Sequence, residues 1–266
     1  MSTPTGDAGR ALLRAVNVSR RFGTVKRPVH ALADVSLDVR PGERLGIVGE
    51  SGSGKSTLVR LLAALDRPTS GRVFFDGQDV TQRPERELGA LRASVQLVFQ
   101  DPRSSLDPRM KVGAIITEPL RSRVIRRQLG DVDVPGRLAE VLDAVGLPAD
   151  AAGSYPHEFS GGQRQRIAIA RALAPHPRVL IADEPVSALD VSVRAQVINL
   201  LSDLISSQGM TLVVVSHDLT IVRHLCENVA VMRSGEIVEH GSAREVFERP
   251  RTDYTKALWA AVPRIS

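Results

Sequence analysis

The stretch GESGSGKST, residues 49–57, decides the fold class of this 266-residue chain. It matches the pattern Gly-x4-Gly-Lys-Ser/Thr and follows the apolar run LGIV at residues 45–48. Residues 55–65 then carry an apolar stripe, with no helix breaker before Pro68. A strand, a glycine-rich loop and a helix in this order predict backbone N–H groups that cradle a phosphate. The alternative is a glycine-rich turn that only caps a helix.

The residue types in this loop suit the phosphates of a nucleoside triphosphate. Glycines let N–H groups approach the β-phosphate without a Cβ in the way, and the helix N-terminus adds a favourable dipole. Lys55 is predicted to bridge the β- and γ-phosphates, and Ser56 to give its hydroxyl to Mg²⁺. Thr57 is expected to add a phosphate contact. The predicted phosphate-binding residues are Gly49, Glu50, Ser51, Gly52, Ser53, Gly54, Lys55, Ser56 and Thr57.

Apolar runs on both sides of the loop predict an α/β domain with a parallel sheet. Residues 35–39, RVFFDG (72–77) and 95–99 are predicted strands before the middle of the chain. VLIAD (179–183), TLVVVS (211–216) and NVAVM (228–232) are predicted strands after it, with a helix at 191–205. Between residues 101 and 159, prolines separate helical stretches predicted at 112–128 and 136–145, which indicates an inserted helical subdomain. The predicted boundaries are 11–247 for the domain, about 101–160 for this subdomain and 248–266 for a C-terminal tail.

Two carboxylates, Asp183 and Glu184, end the apolar strand VLIAD. They lie at the sheet edge where a parallel α/β fold places its ligands. Asp183 is predicted to hold Mg²⁺, directly or through water, and Glu184 to accept a proton from an attacking water. The alternative is a pair of acidic residues that merely end a strand, but the phosphate loop in the same chain favours the catalytic interpretation.

A second helix N-terminus, SGGQ at residues 160–163, predicts another anion site. Ser160 is a suitable N-cap, and the spacing of Ile167, Ile169 and Leu173 gives the helix an apolar face. Because the loop at 49–57 suffices for one ATP, this second site is left for a nucleotide held by another subunit. The alternative is a plain Ser-capped helix.

Composition and charge exclude several classes of protein. With 42% hydrophobic and 24% charged residues, the chain is neither disordered nor a disulfide scaffold. Its net charge of +5 is spread out, so it is weak support for a nucleic-acid or membrane surface partner. Cys226, the one cysteine, is expected to be a buried small hydrophobe. The polar N-terminus predicts no secretory signal, and no apolar run approaches the roughly 18 residues that span a bilayer.

Six motifs in chain order resemble the motif series of an ABC transporter nucleotide-binding subunit, over nearly the whole chain. They are the Walker A loop at 49–57, Gln100 in FQDP, FSGGQ at 159–163, a Walker B strand ending in Asp183-Glu184, SALD at 187–190, and His217 in VVSHD. The resemblance implies a P-loop NTPase fold with a mainly parallel sheet, an N-terminal antiparallel β subdomain and an inserted helical subdomain. It also implies ATP and Mg²⁺ as cofactors.

The resemblance implies roles for residues outside the Walker A loop. Phe22 matches the aromatic residue that stacks on adenine in this family, and Gln100 matches the residue that reaches Mg²⁺ and the attacking water and senses the membrane subunits. His217 would hold the γ-phosphate and position Glu184. The implied catalytic residues are therefore Glu184, His217, Gln100 and Lys55, and the implied metal-binding residues are Ser56, Gln100 and Asp183.

The motif FSGGQ is implied to act on a nucleotide bound by a partner cassette. Ser160 and Gly162 would contact its γ-phosphate across a head-to-tail dimer, and Asp190 would join the two sites. The implied contributions from this part of the chain are Ser160, Gly161, Gly162, Gln163 and Asp190.

Three further segments resemble the oligopeptide, dipeptide and nickel importer group within this family. They are VFQDPRSSLDPR (98–109), YPHEFS (155–160) and the tail PRTDYTKAL (250–258). The tail has Thr252-Asp253 where that group has His-Pro. Some members carry a further cysteine-rich iron–sulfur segment, and none is expected here because Cys226 is the one cysteine.

The resemblance implies an ATP-hydrolysing importer subunit for peptides or nickel-type ligands, peripheral on the cytoplasmic face of the bacterial inner membrane. Expected partners are two integral membrane permease subunits, a second ATP-binding subunit, identical or related, and indirectly a solute-binding protein, with no nucleic acid. The alternatives are a soluble P-loop ATPase that acts on nucleic acid or ribosomes, and an exporter subunit. The transported solute is left open, because specificity resides in other chains.

Overall fold

A computed structural model describes residues 11–24, 27–101 and 105–260. The strands are β1 (Leu13–Thr24), β2 (Arg27–Val39), β3 (Arg44–Val48), β4 (Ser70–Phe75), β5 (Gln78–Asp79), β6 (Val95–Val98), β7 (Val179–Asp183), β8 (Thr211–Ser216), β9 (Asn228–Arg233) and β10 (Glu236–Ser242). The helices are α1 (Lys55–Leu62), α2 (Gly89–Ser94), α3 (Val112–Ile116), α4 (Glu118–Arg121), α5 (Arg123–Leu129), α6 (Val134–Ala144), α7 (Gly161–Leu173), α8 (Val191–Gln208), α9 (Leu219–Leu225), α10 (Ala243–Glu248) and α11 (Asp253–Ala260). The predictions for the polar N-terminus, for residues 102–104 of the FQDP segment and for the last six residues of the tail lie outside the described residues.

A six-stranded sheet carries the loop and the two carboxylates. Its strand order is β10-β9-β3-β8-β7-β6, and all neighbours are parallel except the antiparallel pair β10 and β9. Because β3, β8 and β7 are adjacent and parallel, their carboxyl ends meet at one edge of the sheet. The Walker A loop follows β3, His217 follows β8, and Glu184 follows β7, so the topology places all three side by side.

Two apolar clusters cover the two faces of this sheet. Along β7, Val179 and Ile181 belong to the cluster shared with the N-terminal strands, whereas Leu180 and Ala182 belong to the cluster shared with the helical subdomain. This alternation confirms a strand buried on both faces, as the continuous apolar run VLIAD predicted. Within the described ranges 11–24, 27–101 and 105–260, no helix is long and apolar enough to cross a membrane.

A four-stranded antiparallel sheet, in the order β2-β1-β4-β5, confirms the N-terminal β subdomain. Strands β1 and β2 form a long hairpin in which Phe22 pairs with Val29 near its turn. Register shifts interrupt β1 at three places, and Asn17 within it has a positive φ. Because of these irregularities, the sequence of β1 shows no clear period-2 pattern, and the apolar spacing did not predict this strand.

The helical insertion differs in detail from the predicted stretch at 112–128. The stretch at 112–128 is divided among three short helices, α3, α4 and α5. It is divided because Pro119 occupies the first turn of α4 and Ser122 is extended between α4 and α5. Helix α1 likewise ends at Leu62, three residues before the predicted end, and Ala64 beyond it has a positive φ of 49°. The prediction of continuous helix was therefore wrong at both places, although the mainly helical character of the insertion is as expected.

Two arginines, the buried Arg137 and the partly buried Arg171, connect parts of the helical insertion to α7. The guanidinium of Arg137 on α6 donates to the carbonyl oxygens of Leu173 and Ala174 at the end of α7. Arg171 on α7 donates to the carbonyl oxygen of Ser105 at 2.6 Å. These bonds fix α6 and the start of the insertion to α7, the helix that follows the SGGQ motif.

Cys226 is expected to resist thiol reagents in the folded protein. The side chain is buried, and burial raises the pKa of the thiol to about 12. Since the thiolate is the reactive form, little of it is present at pH 8. Labelling with Ellman's reagent should therefore be slow in buffer and complete within minutes in concentrated guanidinium chloride. Rapid stoichiometric labelling of the folded chain would contradict this expectation.

Candidate functional site

The Walker A loop wraps tightly between β3 and α1. Gly49 and Gly54 have φ angles of 149° and 104°, a region that L side chains rarely adopt. A Cβ on Gly49 would overlap the carbonyl oxygen of Met232, and one on Gly54 would lie 2.5 Å from the carbonyl oxygen of Ala31. Both positions therefore require glycine, and the loop presents backbone to the space above the N-terminus of α1.

The ammonium group of Lys55 is buried inside the curve of this loop. Its Nζ donates to the carbonyl oxygens of Gly49 and Glu50, each at 2.8 Å, and lies 3.5 Å from the hydroxyl of Ser53. Burial lowers the pKa of Lys55, and the carboxylates of Glu184, Asp183 and Glu50 oppose that shift. The loop thus holds a positive charge at the point where a phosphate would enter.

Ser56 and Asp183 bring two oxygen ligands together from different parts of the chain. The Ser56 hydroxyl donates to Asp183 Oδ1 at 3.2 Å. Burial raises the pKa of Asp183, and its contacts with Ser56, Lys55 and Arg60 oppose the rise. No group of three or more His, Cys, Asp or Glu suited to a metal occurs among the described residues. One carboxylate and one hydroxyl nevertheless fit Mg²⁺, which completes its shell with phosphate oxygens and water.

Glu184 and His217 form a direct pair at the ends of β7 and β8. Glu184 Oε1 accepts a hydrogen bond from the backbone N–H of His217 at 3.1 Å and lies 2.7 Å from His217 Nδ1. Glu184 has a φ of 52°, which is uncommon for a residue with a side chain. Its backbone is held there because Glu184 N donates to Val215 O at 2.9 Å and the Ser187 hydroxyl donates to Glu184 O at 3.1 Å. The turn thus places the Glu184 carboxylate beside His217 at the carboxyl edge of the sheet.

A cavity of about 680 Å³ joins Lys55, Ser56 and the Glu184 and His217 pair, whereas Asp183 does not line it and is linked to it through Ser56. It is lined by Phe22, Val29, His30, Ala31, Ser51, Gly52, Gly54, Lys55, Ser56, Thr57, Gln100, Glu184 and His217. The structure therefore brings Phe22, Gln100 and His217 to the same space as the loop. Gly49, Glu50 and Ser53 do not line this cavity and instead surround the Lys55 ammonium group from within the loop.

Phe22 lines this cavity, and a guanidinium group lies over its ring. The guanidinium carbon of Arg20 lies 4.5 Å from the ring centroid. Arg20 is itself held by an ion pair with Asp66 at 2.8 Å. Phe22 remains 41% exposed. In the sequence, Arg20 and Arg21 form a short basic pair that is expected to be a solvated face, and the signal for this contact is the position of Arg20 two residues before Phe22 in a strand.

The SGGQ motif and Asp190 do not line the cavity of their own chain. Ser160 caps α7, because its hydroxyl accepts from Gln163 N at 3.3 Å and Gln163 Oε1 accepts from Ser160 N at 2.9 Å. Gly161 lies against Leu189 of the SALD segment, and Asp190 is exposed at the start of α8. This surface is separate from the Walker A cavity, which is the arrangement expected if it meets a nucleotide on another subunit.

Sequence comparisons give one family and a consistent set of relatives. The profile of the ABC transporter family matches residues 32–187. The chain is 50% identical over 262 residues to the glutathione import ATP-binding protein GsiA of Escherichia coli strain K12, and 50% identical to the GsiA protein of Shigella flexneri. Each match covers 96% of this chain and 42% of the relative. The chain therefore spans about two fifths of the length of these curated relatives.

Solved structures share the fold over most of the chain. The post-hydrolysis dimer of the ATP-binding cassette MJ0796, bound to ADP and Pi, has a TM-score of 0.77 at 32% identity, with 87% of this chain and 99% of that chain covered. CbiO1 of Clostridium perfringens, part of the ABC transporter complex cbiONQ, has a TM-score of 0.76 at 28% identity, with 96% and 97% covered. The α/β architecture with two sheets is therefore that of ATP-binding cassettes.

Proposed function

The chain belongs to the ABC transporter family, and from this we propose that it binds and hydrolyses ATP as the energising subunit of an importer. The observation that carries the proposal is a single cavity lined by the phosphate loop, Ser56 and the Glu184 and His217 pair, with Asp183 hydrogen-bonded to Ser56. Phosphoryl transfer to water needs a phosphate cradle, a metal position and a base, and these groups are proposed to supply them.

Each residue at the sheet edge has a distinct task in the proposed reaction. The loop N–H groups and Lys55 bind the β- and γ-phosphates, and Thr57 adds a contact at the start of α1. Ser56, Asp183 and Gln100 are the residues proposed to hold Mg²⁺, which when bound would neutralise charge on the phosphates. Glu184 takes the proton of the attacking water, while His217 orients Glu184 and contacts the γ-phosphate.

The proposed working unit is a head-to-tail pair of cassettes. In it, Ser160, Gly161, Gly162 and Gln163 of one cassette reach the γ-phosphate held by the other, and Asp190 lies between the two sites. Support comes from the separation of this surface from the Walker A cavity. The second cassette is an identical or a related chain. The proposed units are residues 11–247 for the cassette, 101–160 for its helical subdomain and 248–266 for the tail.

The proposed partners in the membrane are two permease subunits, contacted through Gln100 and the helical subdomain from the cytoplasmic face. The proposed cargo is a small peptide, delivered by a solute-binding protein. Support comes from relatives named for glutathione import, which are 50% identical to this chain. Nickel-type ligands are the alternative with less support, because the relatives reported above are named for glutathione import.

Two measurements test this function. The purified chain should hydrolyse ATP in a Mg²⁺-dependent reaction, and affinity purification from membranes should recover two integral membrane proteins. Recovery of RNA, DNA or ribosomes in their place would favour a soluble nucleic-acid ATPase. Peptide efflux, rather than uptake, in vesicles that contain the assembled complex would favour an exporter.

Arg20→Met is expected to weaken ATP binding by removing the cation that lies 4.5 Å from the centroid of the Phe22 ring. A cation–π contact at a partly exposed site contributes about 0.5–1 kcal/mol, which corresponds to roughly two- to five-fold in Kd. Inorganic tripolyphosphate, which has no base, should bind the variant and the wild type equally. Calorimetric titration with the two ligands separates the base contact from the phosphate contacts.

Arg178→Met is the matched control for this change. Arg178 also pairs with a carboxylate, Asp76 at 2.9 Å, and lies 5.9 Å from the ring centroid of Phe75, but none of the three lines the cavity. The control should bind ATP as the wild type does. Equal ATP affinity in Arg20→Met and Arg178→Met would contradict the role given to Arg20.

A further inference from the structure

The tail helix α11 contacts the Walker A loop through one side chain. The hydroxyl of Tyr254 accepts a hydrogen bond from the backbone N–H of Glu50 at 3.2 Å and lies 3.5 Å from the carbonyl oxygen of Met232. The guanidinium of Arg233 lies 4.9 Å from the centre of the tyrosine ring. Tyr254 is thus packed between strand β9 and the loop, 204 residues away from Glu50 in sequence.

Several bonds fix the tail in the place where Tyr254 can make this contact. The carboxylate of Glu239 on β10 accepts from the backbone N–H groups of Arg251 at 2.9 Å and Thr252 at 3.1 Å. Thr255 is fully buried and lies 2.8 Å from the Thr252 hydroxyl. These contacts hold the start of α11 against the sheet, so the tyrosine hydroxyl has a defined position.

The far end of α11 is anchored by the only tryptophan in the chain. The indole N–H of Trp259 donates to the carbonyl oxygen of Val246 at 2.6 Å, and the ring stacks on Phe247 with centroids 4.5 Å apart. Trp259 therefore reports the docking of the same helix that carries Tyr254. It has no contact with the Walker A loop among the hydrogen bonds of the described residues.

The hydrogen bond between Glu50 and the Tyr254 hydroxyl involves the same backbone segment that binds the Lys55 ammonium group. Glu50 donates its N–H to Tyr254 and accepts the Lys55 ammonium group at its carbonyl oxygen. Gly49, one residue earlier, is the other carbonyl partner of Lys55 and packs against Met232. The tail, the loop and strand β9 thus share a short hydrogen-bonded path that ends at the phosphate-binding cation.

We infer that Tyr254 is a positioning residue which holds the Walker A loop in its phosphate-binding shape and couples the docking of the tail to nucleotide binding. The inference rests on the proposed binding of ATP. Because such coupling is reciprocal, nucleotide in the loop changes the environment of the tail by the same free energy with which the tail changes nucleotide affinity.

Tyr254→Phe tests the hydroxyl and keeps the ring against Arg233. A hydrogen bond between uncharged groups contributes about 0.5–1.5 kcal/mol, so the Kd for ADP and ATP should rise roughly three- to ten-fold. The melting temperature without nucleotide should change little, because the ring packing remains. Tyr155→Phe is the matched control: it removes the hydroxyl of the other tyrosine of the chain, which does not line the cavity, and it should leave the Kd for ADP and ATP unchanged.

Trp259 fluorescence provides a readout that a purely structural role of Tyr254 would not change. ADP binding to the wild type should shift or quench the emission of Trp259. Tyr254→Phe at saturating ADP should lose most of that change. A wild-type chain that binds ADP with no change in emission, or a Tyr254→Phe chain with unchanged Kd and an unchanged emission response, would overturn the inference.

Two further measurements keep this test decisive. If the wild type itself binds neither ATP nor ADP by calorimetry, the proposed function fails, which is distinct from a failure confined to the Tyr254 variant. If Tyr254→Phe does not fold, Glu239→Gln weakens the anchor of the tail without altering Tyr254. That variant should raise the Kd for ADP in the same direction, and an unchanged Kd and emission response in it would overturn the inference.

Discussion

Glu184→Gln is expected to lower the rate of ATP hydrolysis by about 100- to 10,000-fold, the range that a positioned general base contributes. Nucleotide binding should persist, because Glu184 contacts no residue of the phosphate loop through a hydrogen bond in the structure and the glutamine is nearly isosteric. The variant should therefore accumulate as a closed dimer around ATP, visible by size-exclusion chromatography in the presence of Mg²⁺ and ATP.

The geometry around Glu184 explains why glutamine separates binding from hydrolysis. Its Oε1 is already the acceptor for two groups of His217, the backbone N–H and Nδ1. A glutamine side-chain oxygen can accept the same two bonds, so the turn with its φ of 52° and the position of His217 are retained. The amide cannot take a proton from water, and only the chemical step is lost.

Steady-state kinetics and binding on the same preparation check this prediction. The Kd for ATP, measured by calorimetry without Mg²⁺, serves as the internal control for a correctly folded site. Wild-type turnover in Glu184→Gln would rule out Glu184 as the base. Loss of both ATP binding and turnover would instead assign Glu184 a structural role at the sheet edge.

The strands around the site could be predicted because they are buried on both faces. Continuous apolar runs leave few other placements, and the bounds of β7 and β8 agree with VLIAD and TLVVVS as predicted. Strands β1 and β10 lacked such a pattern, because β1 is irregular and β10 alternates irregularly between apolar and charged residues. The break at Ser122 between α4 and α5 depends on local backbone geometry that propensity does not specify.

The site could be predicted where its residues follow strands of the parallel sheet. Asp183 ends such a strand, and the Walker A loop, Glu184 and His217 follow such strands, so their chain order and the topology place them at one edge. The Arg20 contact with Phe22 depends on how two side chains of β1 pack, and the Tyr254 contact with Glu50 joins residues 204 apart in sequence. No periodic pattern records the pairing of Tyr254 with Glu50, since it depends on how the tail docks against the sheet.

Lys55→Ala is the second change with a large expected effect, and it acts on binding. Hydrogen bonds to charged groups contribute about 1.5–3 kcal/mol, so loss of the ammonium group should weaken ATP binding by roughly 10- to 100-fold. The loss has a second physical source in the free protein. The charge of Lys55 lies near the carboxylates of Glu184, Asp183 and Glu50. Without it, these carboxylates face an incoming polyphosphate with less opposing positive charge.

Lys111→Ala is the control for Lys55→Ala, because it also removes one lysine charge but from an exposed position at the start of α3. It should bind ATP with the wild-type Kd.

The two carbonyl oxygens of Gly49 and Glu50 lose their partner in Lys55→Ala, so its melting temperature without nucleotide should also fall. The two variants of the site then differ in kind: Lys55→Ala raises the Kd for ATP, whereas Glu184→Gln lowers turnover at a retained Kd. Wild-type affinity in Lys55→Ala would contradict the placement of the phosphates in the Walker A loop, since no other buried cation lines the described cavity.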